Sequence, residues 1–455
     1  LPGSGSPARD ALEIRGGQRL CGEIAETRKK NAALPILATS VMAQGPVVLE
    51  GIPDVGDVRT MLGLLQGLET HVALNFCRSG GVTSPFWVHL QHRHTGHGEV
   101  DAALVQQMRA GFCLLGPLVA RYGRARIALP GGCRIGPRPV ELHLAGLAAL
   151  GARIELADGF VTATADRLRG ADIDLAGPCG STVTGTINVM AAAALARGTT
   201  VLRNAAREPE VVDTARFLNG LGADIRGAGS GVLEIRGVEC LGGGSYRVIP
   251  DRVEAATLLL AGAITAGQVT VTGVTPRHLS EVCHTLCDAG AEVAIEADRI
   301  TLTAPRRLKA FTAAAQPFPG LPTDLQAPFT ALAAVAEGTS RLTDGVFPER
   351  FAHLAGLREL GAEVVQRGST AIVEGRAGLP ADEGGEPREV VATDLRGAAA
   401  LVLAALARQG TTLVRDVVHL DRGYHALEAK LAALGADVVR LSPAAVQAGG
   451  LLTTA

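Results

Sequence analysis

No apolar stretch of about 20 residues runs free of polar breaks in this chain, so no segment has the length a membrane-spanning helix needs. The start, LPGSGSPARDALEIRGG, lacks an apolar export core, and the expectation is a soluble, cytoplasmic protein. Leu1 to Pro7 reads as a flexible leader or cloning remnant. Cysteine forms no framework. The eight, at 21, 77, 113, 133, 179, 240, 283 and 287, are scattered, which points to reduced thiols and not to a disulfide-stapled fold. Cys283 and Cys287 lie four apart on an amphipathic run, where buried helix-face thiols are expected and not metal ligands. Basic excess is missing as well. A net charge of −2 excludes a globally basic nucleic-acid binder, so an anionic ligand must be captured by locally focused charge. Lysine is scarce: only four of the 43 basic residues, two of them adjacent, Lys29 and Lys30.

What is present is a repeat. Hydrophobic residues make up 47% of the chain against 19% charged, the balance of a well-buried globular protein. Six apolar runs begin at Asn31, Arg109, Gly185, Asp251, Asp324 and Asp394. They close at Gly45, Gly123, Gly198, Gly267, Gly338 and Gly410, which are 69 to 78 residues apart. Each is followed by a β-rich stretch, a charged loop, an amphipathic run and a strand. The amphipathic runs end in LAALGARI, LNGLGADI, LCDAGAEV, LRELGAEV and LAALGADV, after a worn first copy, LLQGLETHV. A fixed period marks units that stack because none buries its own apolar face. Runs apolar on every side predict buried helices. Amphipathic helices then form an outer layer, with sheets at the solvent face.

The expected fold is α/β with two lobes of three units. One lobe spans 30–249. The other joins 1–29 to 250–455. The two crossings between them make a hinge for closure on a ligand. Arg78 to Val100, with Trp87 and four histidines in HLQHRHTGH, interrupts the first copy. Its spacing fits no zinc pattern, and a solvated surface insertion is expected.

Equivalent loops in such an array converge. The starts of the buried helices hold Lys29-Lys30-Asn31, Met108-Arg109, Thr182 to Gly185, Asp251-Arg252, Thr323 to Gln326 and Thr393 to Arg396. The loops after the β-rich stretches hold Cys133 to Arg138, Arg207-Glu208, Arg277-His278, Glu349-Arg350 and Asp421 to Tyr424. Helix N-termini facing one cleft, with added arginines, form a receptor for phosphate and carboxylate. Each position also has a plainer reading. Thr323 to Gln326 fits a capping box, and Asp251 to Glu254 a variant of one, so Asp324 could be a first-turn carboxylate and no more. Cys133 lies in LPGGCRIGPRPVELH, a loop too rich in breakers for regular structure. Flanked by Arg134 and Arg138, its thiol should be acidified and serve as proton donor or nucleophile.

These residues carry a resemblance. KNAALPI, LGPLVARYG, LPGGCRIGPRPVELH, NAAREPEVVDTA, YRVIPDRVE, PTDLQA, ATDLR and HLDRGY occur in order between about Gly22 and Leu441. In this the chain resembles the enolpyruvyl transferase family. The resemblance implies a two-lobed inside-out α/β barrel of six βαβαββ units. It implies that Lys30, Arg109, Arg138, Arg396 and Arg422 hold phosphoenolpyruvate. Cys133 matches the loop cysteine that acts as general acid and is alkylated by fosfomycin. Asp324 matches the carboxylate that takes the acceptor's hydroxyl proton, and Asp394 a second cleft carboxylate. Asn31, Arg138, Pro139, Val140, Glu141, Leu142, Thr182, Val183, Thr184, Asp324, Val346 and Arg350 fall where such enzymes hold the acceptor, a uridine nucleotide. No metal or organic cofactor is implied, and neither nucleic acid nor membrane.

The acceptor implied first is the 3-hydroxyl of UDP-N-acetylglucosamine, in peptidoglycan precursor synthesis. The alternative is the 3'-hydroxyl of UMP in nucleoside-antibiotic biosynthesis. Departures from the family pattern lie on the acceptor side. ETRKKN stands where SGAKN is usual, and Thr182 to Thr186 read TVTGT where SVGAT is usual. Glu141 replaces an Asp, and Pro348-Glu349 an ordinary pair before Arg350.

Overall fold

The computed structural model describes residues 10–26, 30–79, 82–93, 98–131, 140–178, 180–381 and 387–443. The apolar runs are helical: Lys30–Ser40, Arg109–Tyr122 (3-10 over Arg109–Leu114), Val183–Ala194, Arg252–Ile264, Thr323–Ala333 (again opening 3-10) and Leu395–Ala407. In Arg252–Ile264 every residue is buried. Leu258, Leu259 and Leu260 contribute roughly 1.5–3 kcal/mol each by leaving water. Six further helices alternate with these: Gly56–Gly67, Glu141–Ala149, Pro209–Gly220, Ser280–Asp288, His353–Glu359 and Leu427–Ala433. They carry exposed faces, as their mixed sequence demands.

Four of the closing glycines, Gly123, Gly198, Gly338 and Gly410, adopt a positive φ, where a side chain is disfavoured. Gly267 serves otherwise. A Cβ there would lie 1.9 Å from the Leu20 carbonyl oxygen, so close backbone approach requires glycine.

Each copy has one sheet of three to five strands. In copies one to five the strand after the buried helix pairs antiparallel with the second strand of a hairpin, as Val47–Glu50 does with Val82–His92. The sixth is completed from the far end of the chain. Its strands Gly410–Arg415 and Asp437–Leu441 flank Ala11–Gly16, which supplies the missing hairpin strand. Cys21–Ala25 likewise pairs with Gln268–Thr272, and Gly244–Arg247 with Val47–Glu50.

Two large hydrophobic cores result. One draws on residues between 32 and 248. The other draws on Leu12, Ile14, Leu20 and residues between 253 and 436. Glu26, where the first described stretch ends, accepts a hydrogen bond from the Asp251 amide. No described helix is long and apolar enough to cross a membrane.

The histidine-rich segment is not a solvated insertion as far as it is described. Val82–His92 is the long second strand of a hairpin. Val88, Leu90 and His92 point inward while His89 and Gln91 are exposed. The His92 ring is held by the Thr70 hydroxyl at 2.7 Å and the Ser40 hydroxyl at 3.2 Å. Of the cysteine pair, Cys283 is buried as expected, whereas Cys287 is exposed.

Candidate active site

All six buried helices start at one cleft. Lys30 and Asn31, Arg109, Val183, Arg252, Asp324 and Arg396 line a cavity of about 880 Å³ between the two cores. Helix N-termini carry free N–H groups and positive dipole ends. Their convergence, with six basic side chains among the lining residues, makes a site for an anion.

Two carboxylates organise the cations. The first is Asp324, about a quarter exposed. Arg350 Nη1 reaches its Oδ1 at 2.9 Å, and Arg396 Nη2 reaches Oδ2 at 2.9 Å. Asn31 Nδ2 donates to the same Oδ2 at 3.2 Å. Burial pushes this carboxyl up, but Arg396, Arg350 and Lys30 outweigh it and hold the group well below the usual carboxylate range. Arg396, only 2% exposed, also lies over the Tyr424 ring at 5.1 Å. The second carboxylate is Asp57. Its Oδ2 meets Lys30 Nζ at 3.0 Å and its Oδ1 meets Arg422 Nε at 2.9 Å. Burial again opposes, yet the two cations lower its pKa.

On another wall Glu208 Oε1 accepts from the Phe318 amide at 3.2 Å. Its pKa is raised by burial and by neighbouring Glu210. Arg252 lies 3.5 Å from Glu210 and over the Phe318 ring at 5.3 Å. Behind the start of Val183–Ala194, the His143 ring lies 3.2 Å from the Thr184 hydroxyl.

The capping alternative divides. Asp251 caps its helix through the amides of Val253 and Glu254, as the motif predicts. The box at Thr323 does not form. Thr323 Oγ1 donates to Asp344 at 2.6 Å, neither helix segment there has a side-chain cap, and the Asp324 carboxylate is taken by arginines. Asp394 is itself a cap, accepting from the amides of Arg396 at 3.0 Å and Gly397 at 3.1 Å.

Of the residues singled out in the sequence, Lys30, Asn31, Arg109, Glu141, Leu142, Thr182, Val183, Thr184, Asp324, Val346, Arg350, Arg396 and Arg422 line the cleft. Val140 and Asp394 adjoin it without lining it. Cys133, Arg134, Arg138 and Pro139 lie outside the described residues, as do Arg28 and Lys29. The loop arginines do not all converge. Arg350 and Arg422 do, whereas Arg207 and Arg277 are exposed, Arg207 donating to the Gly229 carbonyl. Glu208, from the Arg207-Glu208 loop, lines the cleft although Arg207 does not, whereas Asp57, Glu210 and Phe318 were not singled out. Each reaches the cleft through a partner distant in sequence, which no local motif announces. Among the described residues no cluster of three His, Cys, Asp or Glu is placed to hold a metal ion.

A cleft walled by helix starts between two three-unit cores is the architecture of one class of enzyme. Residues 14–431 match the family described as EPSP synthase (3-phosphoshikimate 1-carboxyvinyltransferase), and the chain belongs to this family of enolpyruvyl transferases. Within it, the chain is 45% identical to the UDP-N-acetylglucosamine 1-carboxyvinyltransferase of Myxococcus xanthus, over 95% of this chain and 99% of that one. To the protein of the same description from Desulforapulum autotrophicum it is 43% identical, over 95% and 100%. Among solved structures it resembles the enolpyruvyl transferase NikO from Streptomyces tendae. The TM-score is 0.83 at 29% identity, over 96% of this chain and all of the other. EPSP synthase from Acinetobacter baumannii shares the fold, with a TM-score of 0.67 at 20% identity.

Proposed function

We propose that the protein transfers the enolpyruvyl group of phosphoenolpyruvate to the 3-hydroxyl of UDP-N-acetylglucosamine, releasing phosphate, in cytoplasmic synthesis of peptidoglycan precursors. The observation that carries this is 45% identity to a relative of that description over nearly the whole of both chains. The converging helix starts and cations suit a doubly anionic donor.

In this reading Lys30, Arg109, Arg138, Arg396 and Arg422 hold phosphoenolpyruvate. The acceptor oxygen adds to C2 while Cys133 gives a proton to C3, and Asp324 takes the hydroxyl proton. Loss of phosphate and a C3 proton from the tetrahedral adduct leaves the enol ether. Asn31 and Asp394 complete the reacting end, and the segments 139–142 and 182–184 with Val346 and Arg350 hold the acceptor.

Asp324 is a weak base while Arg396, Arg350 and Lys30 hold its pKa down. Phosphoenolpyruvate competes for two of those cations, so its binding lifts the basicity of the carboxylate when a base is needed. Lobes of 30–249 and of 1–29 with 250–455 then close about the paired crossings.

One observation favours UMP as the acceptor instead: Thr184 projects a side chain into the cleft at the position usually glycine. Phosphate release from phosphoenolpyruvate, measured with UDP-N-acetylglucosamine and with UMP, tests both. Turnover with the sugar nucleotide alone defeats the second reading. Turnover with neither defeats both.

A further inference from the structure

The Thr184 hydroxyl stands at the end of a buried relay whose proton positions are fixed by its far end. Asn188 is fully buried. Its Oδ1 is 2.7 Å from the Gly116 amide, which can only donate, and its Nδ2 is 2.8 Å from the Phe112 carbonyl, which can only accept. The amide therefore has one orientation. The remaining Nδ2 proton points at His143 Nδ1, 2.8 Å away, so that nitrogen accepts and the ring proton resides on Nε2. His143 Nε2 then donates to Thr184 Oγ1 at 3.2 Å.

Nothing in this chain can turn round. A Cβ at position 116 would sit 2.1 Å from the Asn188 carbonyl oxygen, so glycine alone permits the approach. Burial, reinforced by the Arg109 charge, lowers the His143 pKa to about 3, and the ring stays neutral. One lone pair of its oxygen accepts from His143, and Thr184 keeps its proton to give. No described residue takes it, and Thr184 lines the cleft.

We propose that Thr184 is a specificity-determining residue, a hydrogen-bond donor to an anionic phosphoryl oxygen of the nucleotide acceptor, with His143 and Asn188 as positioning residues. The inference rests on the reading of the cleft as an enolpyruvyl transferase site. Beyond that reading, it assigns the direction of one hydrogen bond and the substrate group that receives it. Beside the free amides of a helix start, a hydroxyl with a proton to give reinforces selection for an anion.

Titration calorimetry with UDP-N-acetylglucosamine and with UMP on wild-type protein, Thr184→Val and Thr184→Ser tests this. Valine keeps the shape and removes the donor. Thr184→Val should weaken the nucleotide that wild type binds by about tenfold or more, as loss of one hydrogen bond to a charged oxygen implies. Thr184→Ser should bind within about twofold of wild type, and phosphoenolpyruvate affinity should be unchanged in both. Nitrogen NMR of the wild-type histidines should find His143 protonated at Nε2 and not titrating between about pH 5 and 8.

Nucleotide affinity unaltered in Thr184→Val, or a His143 proton on Nδ1, overturns the inference alone. Wild-type protein that binds neither nucleotide overturns the reading of the cleft and the inference with it.

Discussion

Asp324 sits where structural and chemical demands on one carboxylate coincide, and the two can be separated by substitution. Removing it strands Arg396, whose side chain is almost wholly buried. Asp324→Ala should therefore cost about 3–5 kcal/mol, the usual penalty for an orphaned buried charge. A simple first-turn carboxylate would cost only about 0.5–1 kcal/mol. Asp324→Asn keeps one acceptor oxygen for these donors and should melt closer to wild type than the alanine variant. Both variants should lose roughly 10²–10⁴-fold in phosphate release, as expected for a removed proton acceptor. Normal turnover by the asparagine variant would refute the proposed role.

Other single groups set the pH response. Burial depresses His143 to about 3 and His353 to about 4. The folded protein therefore refuses protons that the unfolded chain takes up below about pH 6.5, and stability falls as pH drops through that range. Burial raises Asp213 to about 6, which works the other way, because the folded state binds that proton first. Asp213→Asn should accordingly lose roughly 1 kcal/mol more than wild type between about pH 7 and pH 5. Denaturant titrations at the two pH values read this difference, and equal losses would contradict it.

At the scale of the element, helix starts decide the site, and Asp394 is the one whose two possible duties conflict. Its Oδ1 caps the Leu395–Ala407 helix. Asp394→Ala should cost about 1 kcal/mol, whereas Asp394→Ser restores a cap. If Asp394 also acts on the reacting carbon, the serine variant should melt like wild type yet turn over at least about 100-fold more slowly. A serine variant that is both stable and active would leave Asp394 a cap only.

The same helices explain what the sequence made legible. Runs such as EAATLLLAGAIT, apolar on every side, have no place but a core, so all six buried helices and their starts could be located. Strand alternation was also written in WVHLQH, with Val88, Leu90 and His92 facing inward. Four histidines disguised it, because histidine reads as polar even when threonine and serine hydroxyls satisfy its ring. The sixth sheet depends on Ala11–Gly16, some 400 residues from its partners in the chain, and no local pattern states such a pairing. Asp57 was hidden for the same reason. Nothing in PDVGD indicates that its carboxylate meets an arginine near the other end of the chain.

At the scale of the whole molecule, Asp57 ties the two cores together. It belongs to a helix packed on the first core, and Arg422 follows a segment of the second. His425 meets the Asp54 carbonyl at 3.0 Å beside this contact. Lys30 and Arg422 are also two of the cations proposed to bind phosphoenolpyruvate, so Asp57 occupies them in the protein without substrate. Bound donor must share or displace that carboxylate, and either course loosens the tie just as the cleft fills. Asp57→Asn removes the competitor. With both cations deprived of their buried partner, the variant should lose about 3–5 kcal/mol without ligand. Much of that should return on adding phosphoenolpyruvate, since a ligand that binds only the folded state stabilises it in proportion to the logarithm of its affinity. The thermal shift produced by phosphoenolpyruvate should therefore be larger in Asp57→Asn than in wild type. Equal shifts would show that the donor anion does not compete for Lys30 and Arg422, and Asp57 would then be a structural tie with no part in binding.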